Sequence, residues 1–223
     1  MQLFELFEIK KGITSFVGSG GKTTLIRMLA YELMKEGKVI VSTTTHIYPF
    51  EDYMTLINPT YEETEKALKR TSCLCIGKQS DHGKLIMPDL KFEEMCQLAD
   101  YVLVEADGSK QLPIKAHMGH EPALPCENTK VIEVIGADGF NKPVWEATHR
   151  VEQFCKIAGC TQDDILTPEL IAKVINEEKL CDIVFINKVD DSNREDIIKL
   201  SKLVNVTCFY GALWEGKIYG CSH

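Results

Sequence analysis

The residues Gly18-Ser19-Gly20-Gly21-Lys22-Thr23-Thr24 follow the apolar run Ile13-Thr14-Ser15-Phe16-Val17 and precede a helical pattern. Glycines, a lysine and hydroxyls in that setting are the materials of a phosphate-binding loop. Glycine lets backbone N–H groups approach phosphate oxygens with no Cβ in the way. A helix starting here adds free N–H groups and the positive end of its dipole. In that chemistry Lys22 reaches the outer phosphates, the Thr23 hydroxyl binds Mg²⁺, and Gly18, Ser19, Gly20, Gly21 and Thr24 complete the cradle. The loop is shorter than the usual one, which has a further glycine where this chain has Phe16. The plain alternative is a tight strand-to-helix turn with an exposed lysine.

A second signal is the apolar run Ile183-Val184-Phe185-Ile186 leading into Asn187-Lys188-Val189-Asp190. N-K-x-D at a strand end resembles the guanine-recognition motif of GTPases. The Asp190 carboxylate accepts from N1–H and the 2-amino group of guanine, whereas adenine would leave it desolvated and unpaired. Asn187 would tie this loop to the phosphate loop, and the Lys188 stem would lie over the base. After the last apolar run comes Tyr210-Gly211-Ala212-Leu213, where Ala212 would offer its N–H to the guanine O6. The alternative is an exposed loop of mixed charge.

Glu105 and Asp107 stand at the end of the apolar run Tyr101-Val102-Leu103-Val104, with Gly108 next to them. One of the two acids would complete the Mg²⁺ shell or orient water. Glu105 with Gly108 resembles the D-x-x-G element with Glu in place of Asp. Thr44, in the hydroxyl cluster Thr43-Thr44-Thr45-His46, would sense the terminal phosphate or join the metal shell; the alternative is a β-rich strand end. The segment 107–125 has no helical or strand period and carries Lys110, Lys115, His117, His120 and Glu121. Its length without secondary structure points to function, and its charges suit an anionic substrate or a soft atom, and equally a solvated surface loop. His149 and Arg150 open a helical pattern, with Arg150 as a cation to stabilise phosphoryl transfer.

The elements that must position these residues alternate between strand and helix. Helices are expected over 24–36, from Pro88-Asp89 onward, and over 149–158, 168–175 and 192–204, with a Ser192…Glu195 capping box on the last. The capping box Thr60…Glu63 starts another. Strands are expected over 38–43, 72–76, 101–104, 130–135, 182–186 and 205–209, with a hairpin tip over 81–84. This alternation implies an α/β fold of the P-loop NTPase class, a mostly parallel sheet flanked by helices, in one nucleotide-binding domain over residues 1–223.

Bulk properties exclude several classes. A formal charge of −8 disfavours a nucleic-acid binder. No apolar run approaches membrane-spanning length, and acid near the start of the chain is unlike a signal peptide, so a cytoplasmic location is expected. The nine cysteines lack paired C-x-x-C spacing and read as reduced, mostly buried thiols. Cys73 with Cys75, and Cys221 with His223, are the pairs that could instead take a soft metal or handle selenium.

Several segments together resemble one family. V-G-S-G-G-K-T-T, S-T-T-T-H-I, V-E-A-D-G-S-K, L-P-I-K-A-H, H-E-P-A-L-P and T-H-R-V-E-Q-F are similar to the YqeC family. The resemblance implies a cytosolic P-loop protein that is an accessory factor for selenium-dependent molybdenum hydroxylases. Its partners would be such a hydroxylase or a selenium-donor protein. The chain is also similar to metallochaperone GTPases that load nickel or cobalamin enzymes. GTP with Mg²⁺ is the expected ligand, and ATP the second choice. Two rivals remain: an ATP-dependent ligase with a Mur-type phosphate loop, and a scaffold that binds nucleotide without turnover.

Overall fold

In the computed structural model residues 2–80 and 83–222 are described, without the side chains of Cys221 and Ser222. The chain forms two compact units. The first comprises Met1–Phe16, Thr23–Asp107 and Ala123–Lys130; the second comprises Val17–Lys22, Gly108–Pro122 and Val131–His223.

The first unit contains strand β1 (Gly12–Gly18, which runs on into the second unit), helix α1 (Lys22–Leu33), β2 (Val39–Thr43), β3 (Met54–Ile57), α2 (Tyr61–Leu68), β4 (Cys73–Gln79), α3 (Phe92–Leu98) and β5 (Tyr101–Glu105). The strands pair in the order β1-β5-β2-β4-β3, all parallel. Every residue of β5 is buried, because β1 lies on one side and β2 on the other; Val102 stands beside both Ile13 and Ile40. That position explains why β5 reads as an unbroken apolar run. Helix α1 turns Leu25, Ile26, Leu29, Ala30 and Leu33 inward. It ends before the expected position 36 because its last bonds tighten: Lys35 and Glu36 donate three residues back, to Glu32 and Leu33.

Helix α2 carries both bonds of its capping box. Helix α3 begins at Phe92 rather than at Pro88-Asp89, since the Asp89 carboxylate is taken by Asn58 and Lys78 instead of capping. Strand β3 has no counterpart in the sequence expectation; it is a four-residue strand with both ends exposed. Strand β4 runs on to Gln79 and pairs antiparallel with Leu85–Ile86, which gives the expected hairpin. Asp81 and His82 at its tip lie outside the described residues, as does His223.

The second unit contains most of β6 (Asn128–Gly136), then α4 (Val151–Ala158), α5 (Pro168–Glu178), β7 (Ile183–Asn187), α6 (Arg194–Leu203), β8 (Thr207–Ala212) and β9 (Lys217–Ser222). The order is β6-β7-β8-β9; the first two pairings are parallel and β8–β9 is antiparallel. Strand β9 is a further element that the sequence reading did not anticipate. Ile135, Phe154, Leu166, Ile171, Val184 and Ile197 are at the centre of this unit's core.

Three helix starts follow local chemistry. Thr167 caps the Leu170 N–H and Pro168 occupies the first turn, so α5 starts where expected, and it runs on to Glu178. The start expected at His149 is corrected to Val151. Arg150 adopts a left-handed conformation (φ 68°), and His149 instead pairs in a two-residue strand, Thr148–His149, with Ile114–Lys115. The Ser192…Glu195 capping box is not formed, because the Ser192 N–H that Glu195 would accept donates to Asp190 instead; α6 starts at Arg194.

Both units thus have the expected α/β architecture of mostly parallel strands with flanking helices. The glycine loop leaves β1 for α1, as in the P-loop NTPase class. No helix among the described residues is long and apolar enough to cross a membrane.

Candidate functional site

In the second unit the glycine loop is held from several sides. The Ser19 N–H donates to the Val134 carbonyl at 2.6 Å and its hydroxyl donates to the Leu112 carbonyl. Both donors of Ser19 are therefore engaged in shaping the loop. The buried Lys22 ammonium folds back on the Gly18 carbonyl at 2.6 Å. Gly20 has φ +83°, and a Cβ there would stand 2.3 Å from the Gly136 nitrogen. A Cβ at Gly21 would meet the Asn187 amide at 2.4 Å. Only glycine fits these two positions, for backbone conformation and for space.

The Asn187 side chain joins the three segments singled out in this unit. Its Nδ2 donates to the Gly20 carbonyl at 2.9 Å, and its Oδ1 accepts from the Leu213 N–H at 3.0 Å. Lys188, at φ 64°, sends its ammonium to Asp138 at 2.8 Å. Asp190 is exposed, and its Oδ1 accepts from Ser192 N, Ser192 Oγ and Asn193 N. The Ser192 hydroxyl bond above all, then the two N–H groups, holds its carboxyl below the usual range. Ala212 is buried at the end of β8.

In the first unit Thr23 Oγ1 donates to Glu105 Oε2 at 3.0 Å. Glu105 and Asp107 are both buried at the end of β5. The Glu105 carbonyl accepts from the Thr43 hydroxyl at 2.8 Å and from the Thr44 N–H at 3.2 Å. Thr44 Oγ1 is buried with no hydrogen-bond partner among the described residues. Thr44 also lines a pocket of about 490 Å³ with Met87, Phe92, Leu124 and Cys126, none of which the sequence had singled out beside it. These residues are far apart along the chain and share no motif.

The basic loop is largely internally neutralised. The buried Lys115 ammonium donates to the Gly108 carbonyl at 2.8 Å and pairs with Glu121 at 3.3 Å. Arg150 pairs with the same carboxylate at 2.7 Å. Burial raises the Glu121 carboxyl, but the Arg150 hydrogen bond and the Lys115 charge outweigh that and bring it down to about 2. His117 is buried and bonds Glu178 through both its N–H and Nδ1. Burial first, then the Lys115 and Arg150 charges, lower the His149 imidazole, which favours its neutral form. Lys110 and His120 are exposed. The loop thus presents fewer cations than its sequence suggests.

The thiols of Cys73 and Cys75 are buried, and burial pushes Cys73 up to about 12. A protonated thiol of this kind packs rather than reacts. The side chain of Cys221 lies outside the described residues.

Comparison with known proteins places these features in context. A family model described as YqeC protein matches residues 14–152. The uncharacterized protein YqeC of Escherichia coli (strain K12) is 32% identical over 172 residues, covering 73% of this chain and 67% of that protein. Among solved structures, the signal recognition particle 54 kDa protein from Aeropyrum pernix K1, in complex with GDP, is similar over 92% of this chain with a TM-score of 0.44 and 15% identity. The chain spans 42% of the length of that structure, and the likeness is too distant to bear on function.

Proposed function

The chain belongs to the YqeC family, and from that premise we propose that it is a P-loop protein that binds GTP with Mg²⁺ and hydrolyses it to drive a maturation step. In the second unit Gly18, Gly20, Gly21 and Lys22 take the phosphates, with Ser19 holding the loop's shape. Asp190 reads the guanine edge, Lys188 covers the base, and the Ala212 N–H meets the guanine O6. Thr23, next along the chain, holds Mg²⁺ with Glu105, while Asp107 orients water; Thr24 and Thr44 complete the phosphate end. Arg150 is the cation for phosphoryl transfer once it leaves Glu121.

The observation that carries this reading is the double hydrogen bond of Asn187, to Gly20 and to Leu213. A plain turn with an exposed lysine gives no reason for one buried amide to connect the glycine loop, the N-K-x-D strand end and the Gly-Ala-Leu segment. Selection of guanine over adenine needs such a fixed base loop.

The maturation step belongs to selenium-dependent molybdenum hydroxylases, in the cytoplasm, with a hydroxylase or a selenium-donor protein as partner. This part rests on family resemblance. The 223 residues act as one nucleotide-binding domain, and the exposed Lys110 and His120 face the cargo. Neither nucleic acid nor membrane is a partner.

The test is nucleotide affinity by base type. Calorimetry of the protein with GTP and ATP in Mg²⁺ is expected to give tighter GTP binding, lost in Lys22→Ala and made unselective in Asp190→Ala. Phosphate release from GTP should follow, alone or with a partner. Equal affinity for the two nucleotides would favour the ligase reading, and no heat with either would overturn nucleotide binding altogether.

A further inference from the structure

Within the second unit three side chains with metal-binding atoms converge, and a fourth, a thiol, adjoins one of them. His117 follows the Ile114–Lys115 strand, Glu133 lies in the middle of β6, Glu178 is the last residue of α5, and Cys181 lies just before β7. Ligand atoms of His117, Glu133 and Glu178 all lie within 4.8 Å of one another. The Cys181 thiol donates to Glu133 Oε2 at 3.4 Å. Glu178 grips His117 twice, at 2.6 Å on its N–H and 2.7 Å on Nδ1.

Burial makes this grouping unusual. Glu133 is 2% exposed, in a strand whose neighbours Ile132 and Val134 are fully buried. The His117 and Glu178 side chains are 2% and 7% exposed. Carboxylates are seldom this buried unless paired or bound to metal. None of these residues forms a recognisable motif, since they lie on four separate segments; the fold alone brings them together.

We propose that His117, Glu133, Glu178 and Cys181 hold one divalent transition-metal ion, zinc by their chemistry. An imidazole, carboxylates and a thiolate match zinc's mixture of N, O and S ligands, whereas Mg²⁺ takes oxygen ligands and keeps several waters. A four-coordinate zinc brings its ligand atoms to roughly 3.3 Å from one another, so His117, Glu133 and Glu178, already within 4.8 Å, would draw closer on binding, and the Cys181 thiol beside Glu133 would supply the fourth position. On binding, the Cys181 thiol loses its proton to solvent and becomes a thiolate ligand. The Glu133 stem also lies against the glycine loop, since a Cβ at Gly18 would stand 3.1 Å from Glu133 Cγ. The ion would therefore brace the base of that loop. The cluster shares only His117 with the residues assigned above, so it stands or falls independently of nucleotide binding.

Cobalt(II) is the probe, added to the full-length protein in excess Mg²⁺ so that a cation at Thr23 does not report. The expected result is one equivalent bound, with the visible bands of a four-coordinate site and a sulfur-to-cobalt charge-transfer band. Cys181→Ser should abolish the charge-transfer band. Glu133→Gln should weaken binding by at least about tenfold, with circular dichroism confirming the fold. The proposal is overturned if the wild type binds no stoichiometric cobalt, if excess Mg²⁺ displaces it, or if Cys181→Ser leaves the spectrum unchanged. Should Glu133→Gln fail to fold, the near-isosteric Cys181→Ser variant still decides.

Discussion

The Asn187 amide donates to the Gly20 carbonyl at 2.9 Å, across 167 residues of sequence, and its oxygen accepts from the Leu213 N–H at 3.0 Å. Replacing Asn187 by Ala leaves a buried N–H and a loop carbonyl without this partner. The expected cost is about 1–3 kcal/mol of stability, read from urea unfolding. Nucleotide affinity should fall at least about tenfold, because the phosphate loop and the base loop lose their common brace. Unchanged affinity and stability would show that the bond is incidental.

Gly20 tests the loop from the backbone side. At φ +83°, and with a would-be Cβ 2.3 Å from the Gly136 nitrogen, Gly20→Ala is strained in both conformation and space. A loss of at least ~1 kcal/mol in thermal or chemical unfolding is expected, together with weaker nucleotide binding.

Lys22 and Thr23 should separate by their dependence on metal. Lys22→Ala removes a charge opposite phosphate and should weaken nucleotide binding by at least ~2 kcal/mol, with or without Mg²⁺. Thr23→Ala should leave Mg²⁺-free affinity close to wild type and remove the gain that Mg²⁺ adds. Titrations with and without a chelator distinguish the two.

Asp190 offers a sharper variant than alanine. Asp190→Asn keeps the Oδ1 acceptor that bonds Ser192 and Asn193, so the turn should survive. The new amide would oppose the guanine donors. The preference for GTP over ATP should collapse while total nucleotide affinity falls little for ATP. A preserved preference would remove Asp190 from base selection.

The Glu121 cluster predicts a pH response. The carboxyl stands at about 2 in the folded chain, below its ordinary 4.5. A folded value below the unfolded one stabilises the protein above about pH 4.5. That contribution is lost progressively as pH falls from 4.5 toward 2. Glu121→Gln should therefore melt lower than wild type at neutral pH, and the gap should narrow over that acid range. A constant gap would mean that the ion pairs with Lys115 and Arg150 do not stabilise the loop.

Local chemistry was legible wherever a short run of residues sufficed to produce it. The Thr60…Glu63 box, the Thr167-Pro168 start and the apolar β5 all formed as their sequences implied. The Ser192…Glu195 box failed because Asp190 took the Ser192 N–H that Glu195 would have accepted, and a spacing rule does not register competition. Strands β3 and β9 escaped notice because short, partly exposed strands lack a strong period.

The sequence by itself determined the glycine loop, the N-K-x-D strand end and the α/β alternation, because each depends on residues within a few positions of one another. It also showed which residues carry charge on the loop after Gly108. Only the tertiary structure decided what those charges do. Glu121 neutralises Lys115 and Arg150, Glu178 takes His117, and Glu133 of β6 comes near that pair with Cys181 bonded to its carboxylate. Ion pairing and ligand convergence depend on distances in space, and the order of residues along a chain does not contain them until the chain has folded.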